Sequence, residues 1–201
     1  MYLFRDEDFD PRQNAERNEV LSVFAPLANS LVMKILEAGD CYLAFAENHP
    51  VARRESTFPS SILHGLIVEK LSEIEGVRVI KTNKRNSFFE IGPYKVWVKK
   101  LNEDGLPWVN ETRSSIMRIS QKADGEDTKP VLILGYQLSQ TEKITRIILV
   151  YIDGDQHLWT PIDLGDMAAS NYMVPISVST VEEPAVSIKP DKQREKRKIV
   201  I

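Results

Sequence analysis

A single cysteine, Cys41, stands among 201 residues, so neither an internal disulfide framework nor a cysteine-built zinc ribbon can form. A chain without disulfides suits a reducing compartment, and the cytoplasm is the predicted location. Histidine is also scarce. His49, His64 and His157 have no second His or Cys at metal-ligand spacing, and the HExxH pair is missing. The nine glycines are scattered. Neither GxGxxG nor GxxxxGK followed by Ser or Thr occurs, so no phosphate-cradling loop is available. The GxSxG elbow of a hydrolase nucleophile is missing too. No catalytic residue, metal or cofactor is therefore assigned. No apolar run approaches the roughly 20 residues of a membrane span, and no membrane association is expected. Met1 to Asp10 is acidic rather than basic and then apolar, which does not read as a secretory signal.

What is present is ordinary globular composition. Hydrophobic residues make 42% and charged residues 27% of the chain, which argues against wholesale disorder. The length favours one domain. Charge is unevenly placed although the net is only −3. Arg78 to Lys100 holds seven bases (Arg78, Lys81, Lys84, Arg85, Lys95, Lys99 and Lys100) against Glu90 alone, a local +6. Lys189 to Lys198 has six bases and two acids, a local +4, whereas Met1 to Glu19 is −3. Such runs either mark a surface for an anionic partner or are solvated faces.

Apolar spacing predicts helices first. Val20, Phe24, Leu27, Leu31, Ile35, Ala38, Tyr42 and Phe45 follow one another at steps of three or four. Pro26 predicts a kink or two helices, with Pro26 in the first turn of the second. Gly39 is a second candidate break, and Cys41 reads as a small core residue. A further helix is predicted over Ser60 to Ile74, burying Ile62, Leu66, Leu71 and Ile74. Strands follow at Val77–Ile80, Phe88–Ile91, Tyr94–Leu101, Val131–Leu138, Ile144–Ile152 and His157–Leu164. Gly92-Pro93 and Asp153-Gly154 mark hairpin turns. One helix, Glu111 to Lys122, interrupts the strands. Ile147 to Ile152 lacks alternation and should be buried on both faces. The expectation is an α+β fold: N-terminal helices, then a mainly antiparallel sheet with one intervening helix. Residues 1–176 form the single domain, with a helical part of about 11–75 and a sheet part of about 77–165. An extended or disordered basic tail spans 177–201.

The most specific local pattern is Lys95-x-Trp97-x-Lys99. Side chains two apart in a strand share a face, so lysines flank an aromatic ring. This arrangement can grip phosphates and stack a base, can anchor a protein partner, or can cover a sheet edge with lysine stems packed on the indole. The partner-binding candidates are Tyr94, Lys95, Trp97 and Lys99. The alternative nucleic-acid candidates are Arg78, Lys81, Lys84, Arg85, Lys95 and Lys99.

Two resemblances bear on function. The order helix, three strands, helix, strand from Ser60 to Leu138 resembles the restriction-endonuclease-like core. That family places an acid on its second strand and an acid, any residue, and lysine on its third. Glu90 and Lys99 match two of these positions, but Trp97 stands where the second acid belongs. Without that carboxylate a hard cation loses a main ligand, which disfavours metal-dependent cleavage by Glu90 and Lys99 and leaves a non-cleaving nucleic-acid binder as the alternative. Separately, Phe89 to Asn102, Leu132 to Leu138, Thr145 to Val150 and Leu158-Trp159 resemble uncharacterised bacterial and phage proteins encoded beside a metallopeptidase of the ImmA/IrrE type. That resemblance implies a protein partner and an antitoxin-like, regulatory role in a toxin–antitoxin or phage-defence module. The expected function is thus a non-enzymatic protein-binding regulator, with a nucleic-acid-binding protein on a degenerate endonuclease-like core as the alternative.

Overall fold

The computed structural model describes residues 12–49, 58–81, 87–108, 112–122 and 128–172. The basic tail, together with Lys84 and Arg85, lies outside the described residues. Two helices open the fold, α1 (Arg17–Phe24) and α2 (Ala28–Asn48), joined by a 3-10 turn (Ala25–Leu27) that contains Pro26. Proline at the start of that turn gives up an amide that has no helical acceptor. Their buried stripe is Val20, Phe24, Ala28, Leu31, Ile35, Ala38, Tyr42 and Ala46. Leu27 and Phe45 are only half-buried. Gly39 does not break α2. A Cβ there would lie 2.9 Å from Ile144 Cδ1, so glycine lets the helix approach the sheet closely. Cys41 is exposed rather than a core residue. By length and composition the segment Arg17–Asn48 could cross a membrane, but its apolar stripe is packed into the protein core.

Helix α3 (Phe58–Leu71) buries Leu63, Ile67 and Leu71, one residue out of phase with the expected Ile62 and Leu66. This helix is apolar nearly all round, so spacing alone leaves its rotation open. Then come β1 (Val77–Lys81), β2 (Ser87–Ile91), β3 (Tyr94–Lys100), α4 (Arg113–Ile119), β4 (Val131–Leu138), β5 (Ile144–Val150), β6 (Ile152–Asp153), β7 (Gln156–His157), β8 (Ile162–Asp163) and α5 (Leu164–Tyr172). The main sheet has the order β1-β2-β3-β4-β5-β8. All its neighbours are antiparallel except β3 and β4, which run parallel through the α4 crossover. The fold is therefore α+β with a mixed sheet of mostly antiparallel strands, as the sequence predicts. The predicted strand over His157–Leu164 is instead β7, β8 and the first residue of α5, a helix the spacing did not reveal. Gly92, at φ +56°, takes the first central position of the β2–β3 turn, where a positive φ is needed.

The sheet has two different faces. One carries Phe89, Ile91, Tyr94, Val96, Val98, Leu132, Leu134, Tyr136, Ile147 and Leu149 into the core under the helices. The N-terminal helices thus pack on the sheet of the same chain. The opposite face is apolar over β4 and β5, where Ile133, Ile148 and Val150 meet Leu101, Ile152 and Ile119. Over β1 to β3 it is aromatic and charged. Burial pushes the Tyr136 phenol up to about 12. Its folded value exceeds the unfolded one, so stability falls as pH rises from about 10 to 12, by on the order of 3 kcal/mol in all. Tyr136→Phe should flatten alkaline unfolding in that window, and an unchanged alkaline midpoint would contradict this burial effect.

Candidate functional site

Strand alternation puts Lys95, Trp97 and Lys99 on one face, as expected. The register adds Phe88 opposite Trp97 and Glu90 opposite Lys95. Tyr94 points the other way. It is 3% exposed and packs toward Phe24, so it does not join the other three candidates. Trp97 is 2% exposed. It forms a floor with Phe88, their ring centroids 6.1 Å apart, and offers no indole face for a partner to cover.

Three cations stand over that floor. Lys99 Nζ lies 4.2 Å from the Trp97 centroid and Lys95 Nζ 5.9 Å from that of Phe88. Arg118, carried by α4, stacks over both rings at 4.9 and 5.0 Å. These are cation–π distances. Arg12, whose Nη1 donates to Lys129 O at 2.9 Å, lies near enough for its charge to act on Lys95 and Arg118. Burial pushes the Lys95, Lys99, Arg118 and Arg12 values down. Mutual repulsion adds to this: Arg12 acts on Lys95 and Arg118, and Arg118 acts on Lys99. Arg118 Nη1 is buried and makes no hydrogen bond among the described residues. On α3, burial and then the Lys99 charge push His64 down.

The sole carboxylate of the basic segment is already committed. Glu90 accepts from Lys129 Nζ at 2.7 Å and pairs with Arg78 at 3.6 Å. The Lys129 bond, then the charges of Lys129, Arg78 and Lys95, hold its carboxyl below the usual range. It faces Lys95, four residues or about 13 Å along β3 from Lys99. Glu90 and Lys99 are therefore not assembled as a nuclease pair. Among the described residues no group of three or more His, Cys, Asp and Glu could hold a metal ion.

Of the nucleic-acid candidates, Lys95 and Lys99 share one strand face, over the Phe88 and Trp97 rings respectively. Arg78 sits on the same face at the β1 edge, paired with Glu90. Lys81 ends β1. Sequence reasoning missed Arg118 and Arg12. Arg118 reaches the patch only because the β3–α4–β4 crossover lays α4 across the sheet, and a single basic residue on a short helix carries no sign of that. No protein-family model matches this chain, and no curated protein or solved structure is significantly similar to it.

Proposed function

We propose that this protein is a non-catalytic nucleic-acid-binding protein, with phosphates held by Lys95, Lys99, Arg118 and Arg12. The observation that carries the reading is the convergence of Lys95, Lys99 and Arg118 on the Phe88–Trp97 floor, with Arg118 Nη1 buried and without a hydrogen bond among the described residues. Partly burying like charges is unfavourable, and a phosphate diester placed among them relieves both the repulsion and the unmet Arg118 donor. The helix–three strands–helix–strand order of α3 to β4 supports the endonuclease-like comparison. Trp97 in place of the third-strand acid accounts for a binder that does not cleave. A cytoplasmic location belongs to this same reading.

The competing reading is the antitoxin-like one, with another protein as partner, such as a neighbour-encoded metallopeptidase. Buried Trp97 cannot be its anchor, but Met33 and Leu36 on α2 are 59% and 39% exposed and one helical turn apart. The test is binding of labelled DNA, read by anisotropy across a salt series. Affinity should fall steeply with salt, with a log–log slope of about −0.7 to −0.9 for each phosphate held. Lys99→Gln with Arg118→Gln should make that slope shallower by about two phosphate contacts. Salt-insensitive or absent binding, alongside a nuclease-resistant protein partner in pull-downs from host lysate, would hand the argument to the competing reading.

A further inference from the structure

The chain turns back on itself directly after β3. Leu101 bridges to Pro107 in antiparallel fashion, and the Trp108 N–H donates to Lys100 O at 3.3 Å. Asn102 ties the turn from within. Its N–H donates to Leu106 O at 2.9 Å, and its Oδ1 accepts the Leu106 N–H at 2.8 Å. Its carbonyl accepts from Gly105 N–H at 3.2 Å and from Gln137 Nε2 at 2.6 Å. A loop held by this many bonds still ends in Trp108 at 72% exposure. The backbone that carries the indole is thus fixed before any ligand arrives.

Trp108 borders a cleft of about 610 Å³ that is also lined by Lys100, Asn102, Glu103, Asp104 and Gln137. The cleft lies beyond the carboxyl ends of the parallel strands β3 and β4, where open sheets commonly take ligands. Its lining selects the occupant. The indole suits a flat ring. Two carboxylates against one ammonium disfavour a phosphate there, while the carboxylates and amides can pair with ring N–H and amino groups. Leu101 and Gln137 share the sheet face of Lys99 by alternation. A strand leaving the cation cluster therefore reaches the cleft without crossing the sheet, and Lys95 to Lys100 spans about 16 Å.

We propose that Trp108 is a stacking platform for an unpaired nucleobase, so that the preferred ligand is a single strand whose phosphates run back along Lys99, Arg118 and Lys95; this rests on the nucleic-acid reading above. In a duplex both faces of each base are covered by its neighbours, and the indole has nothing to stack on. Base–aromatic stacking contributes about 1–3 kcal/mol, a factor of about 5 to 150 in affinity.

The experiment compares the full chain with Trp108→Ala and Trp108→Phe, using a labelled short oligo-dT strand and a duplex of equal length at low salt. Trp108→Ala should weaken oligo-dT binding about 5- to 150-fold and leave duplex binding unchanged, while Trp108→Phe keeps most of the affinity. Melting curves should coincide, since an exposed side chain is removed. Unchanged oligo-dT binding by Trp108→Ala, with binding still lost in Lys99→Gln/Arg118→Gln, overturns the stacking site and leaves the phosphate reading intact. Equal loss on both probes also overturns it. If the parent chain binds neither probe, the nucleic-acid reading fails and the stacking site with it.

Discussion

Trp97→Ala is expected to destabilise the fold by about 3–5 kcal/mol, the usual cost of deleting a buried large aromatic side chain. For a chain of this size that is a fall of roughly 6–20 °C in the melting temperature. The reason is packing. Trp97 is fully buried against Phe88 and Val131, with Ile80 and Ile119 beside them. Its removal leaves a cavity in the small cluster that joins β2, β3 and β4. Lys99 and Arg118 also lose the ring on which they rest. Trp97→Phe keeps a π-face and most of the volume, so its cost should be well under half as large. A Trp97→Ala protein that melts with the parent would show that the indole is not part of the core. The same reasoning decides how the site must be tested. Loss of ligand binding in Trp97→Ala would be ambiguous, because the cations move when their floor is removed. The charges themselves, Lys99 and Arg118, have to be neutralised instead.

Much of the fold is legible in the sequence because local rules and tertiary packing agree. The three-and-four spacing from Val20 to Tyr42 gives the buried side of α1 and α2. The offset at Leu27 and Phe45 arises because the buried spacing continues unbroken through Ala28 and Ala46, small residues whose sequence signal is weaker than that of the larger apolar neighbours beside them. Gly92-Pro93 sets the β2–β3 hairpin, and the unbroken apolar run Ile147 to Ile152 is buried throughout. The site is less legible. Alternation correctly groups Lys95, Trp97 and Lys99, but it says nothing about whether a face is open or covered. That depends on α4 crossing over β2 and β3, a contact between residues distant in sequence. Tyr94, next to Lys95, looks like a member of the group until the pleat sends it to the other face. Trp108 carries no periodic signal, and only its bonded turn and its exposure single it out. Helix α5 has nine residues, and so short an apolar pattern is indistinguishable from chance.

Gln121→Glu should produce the sharpest pH-dependent loss in the chain. Gln121 is buried at the end of α4, in the left-handed region at φ +49°. Its Nε2 donates to Val131 O at 2.9 Å and to Ile152 O at 3.0 Å, and its Oε1 accepts the Val131 N–H at 3.0 Å. The Gln121 carbonyl accepts the Arg12 N–H at 2.8 Å. One side chain thus joins the crossover helix, the first residue of β4 and the start of β6, and its backbone holds the N-terminal segment that brings Arg12 to the cation cluster. In Gln121→Glu an oxygen replaces Nε2 and faces two carbonyl oxygens. An ionised carboxylate there has no donor to offer and is desolvated, so the folded state holds on to a proton. Its folded pKa then lies above the unfolded value of about 4.3. The unfolded chain releases the proton first, and stability relative to the parent falls by about 1.4 kcal/mol for each pH unit above that value until the folded pKa is reached. The difference between variant and parent should therefore be smallest near pH 4, where the protonated acid can still donate one of the two bonds, and should widen steadily toward pH 7. Gln121→Leu is the control. It leaves the same backbone groups unpaired, at about 1–3 kcal/mol each, but carries no charge, so its deficit should not change with pH. Paired urea titrations of parent and variants across that range measure both slopes. A Gln121→Glu deficit that stays constant with pH would mean that this side chain reaches water, and that the clamp between α4, β4 and β6 is open.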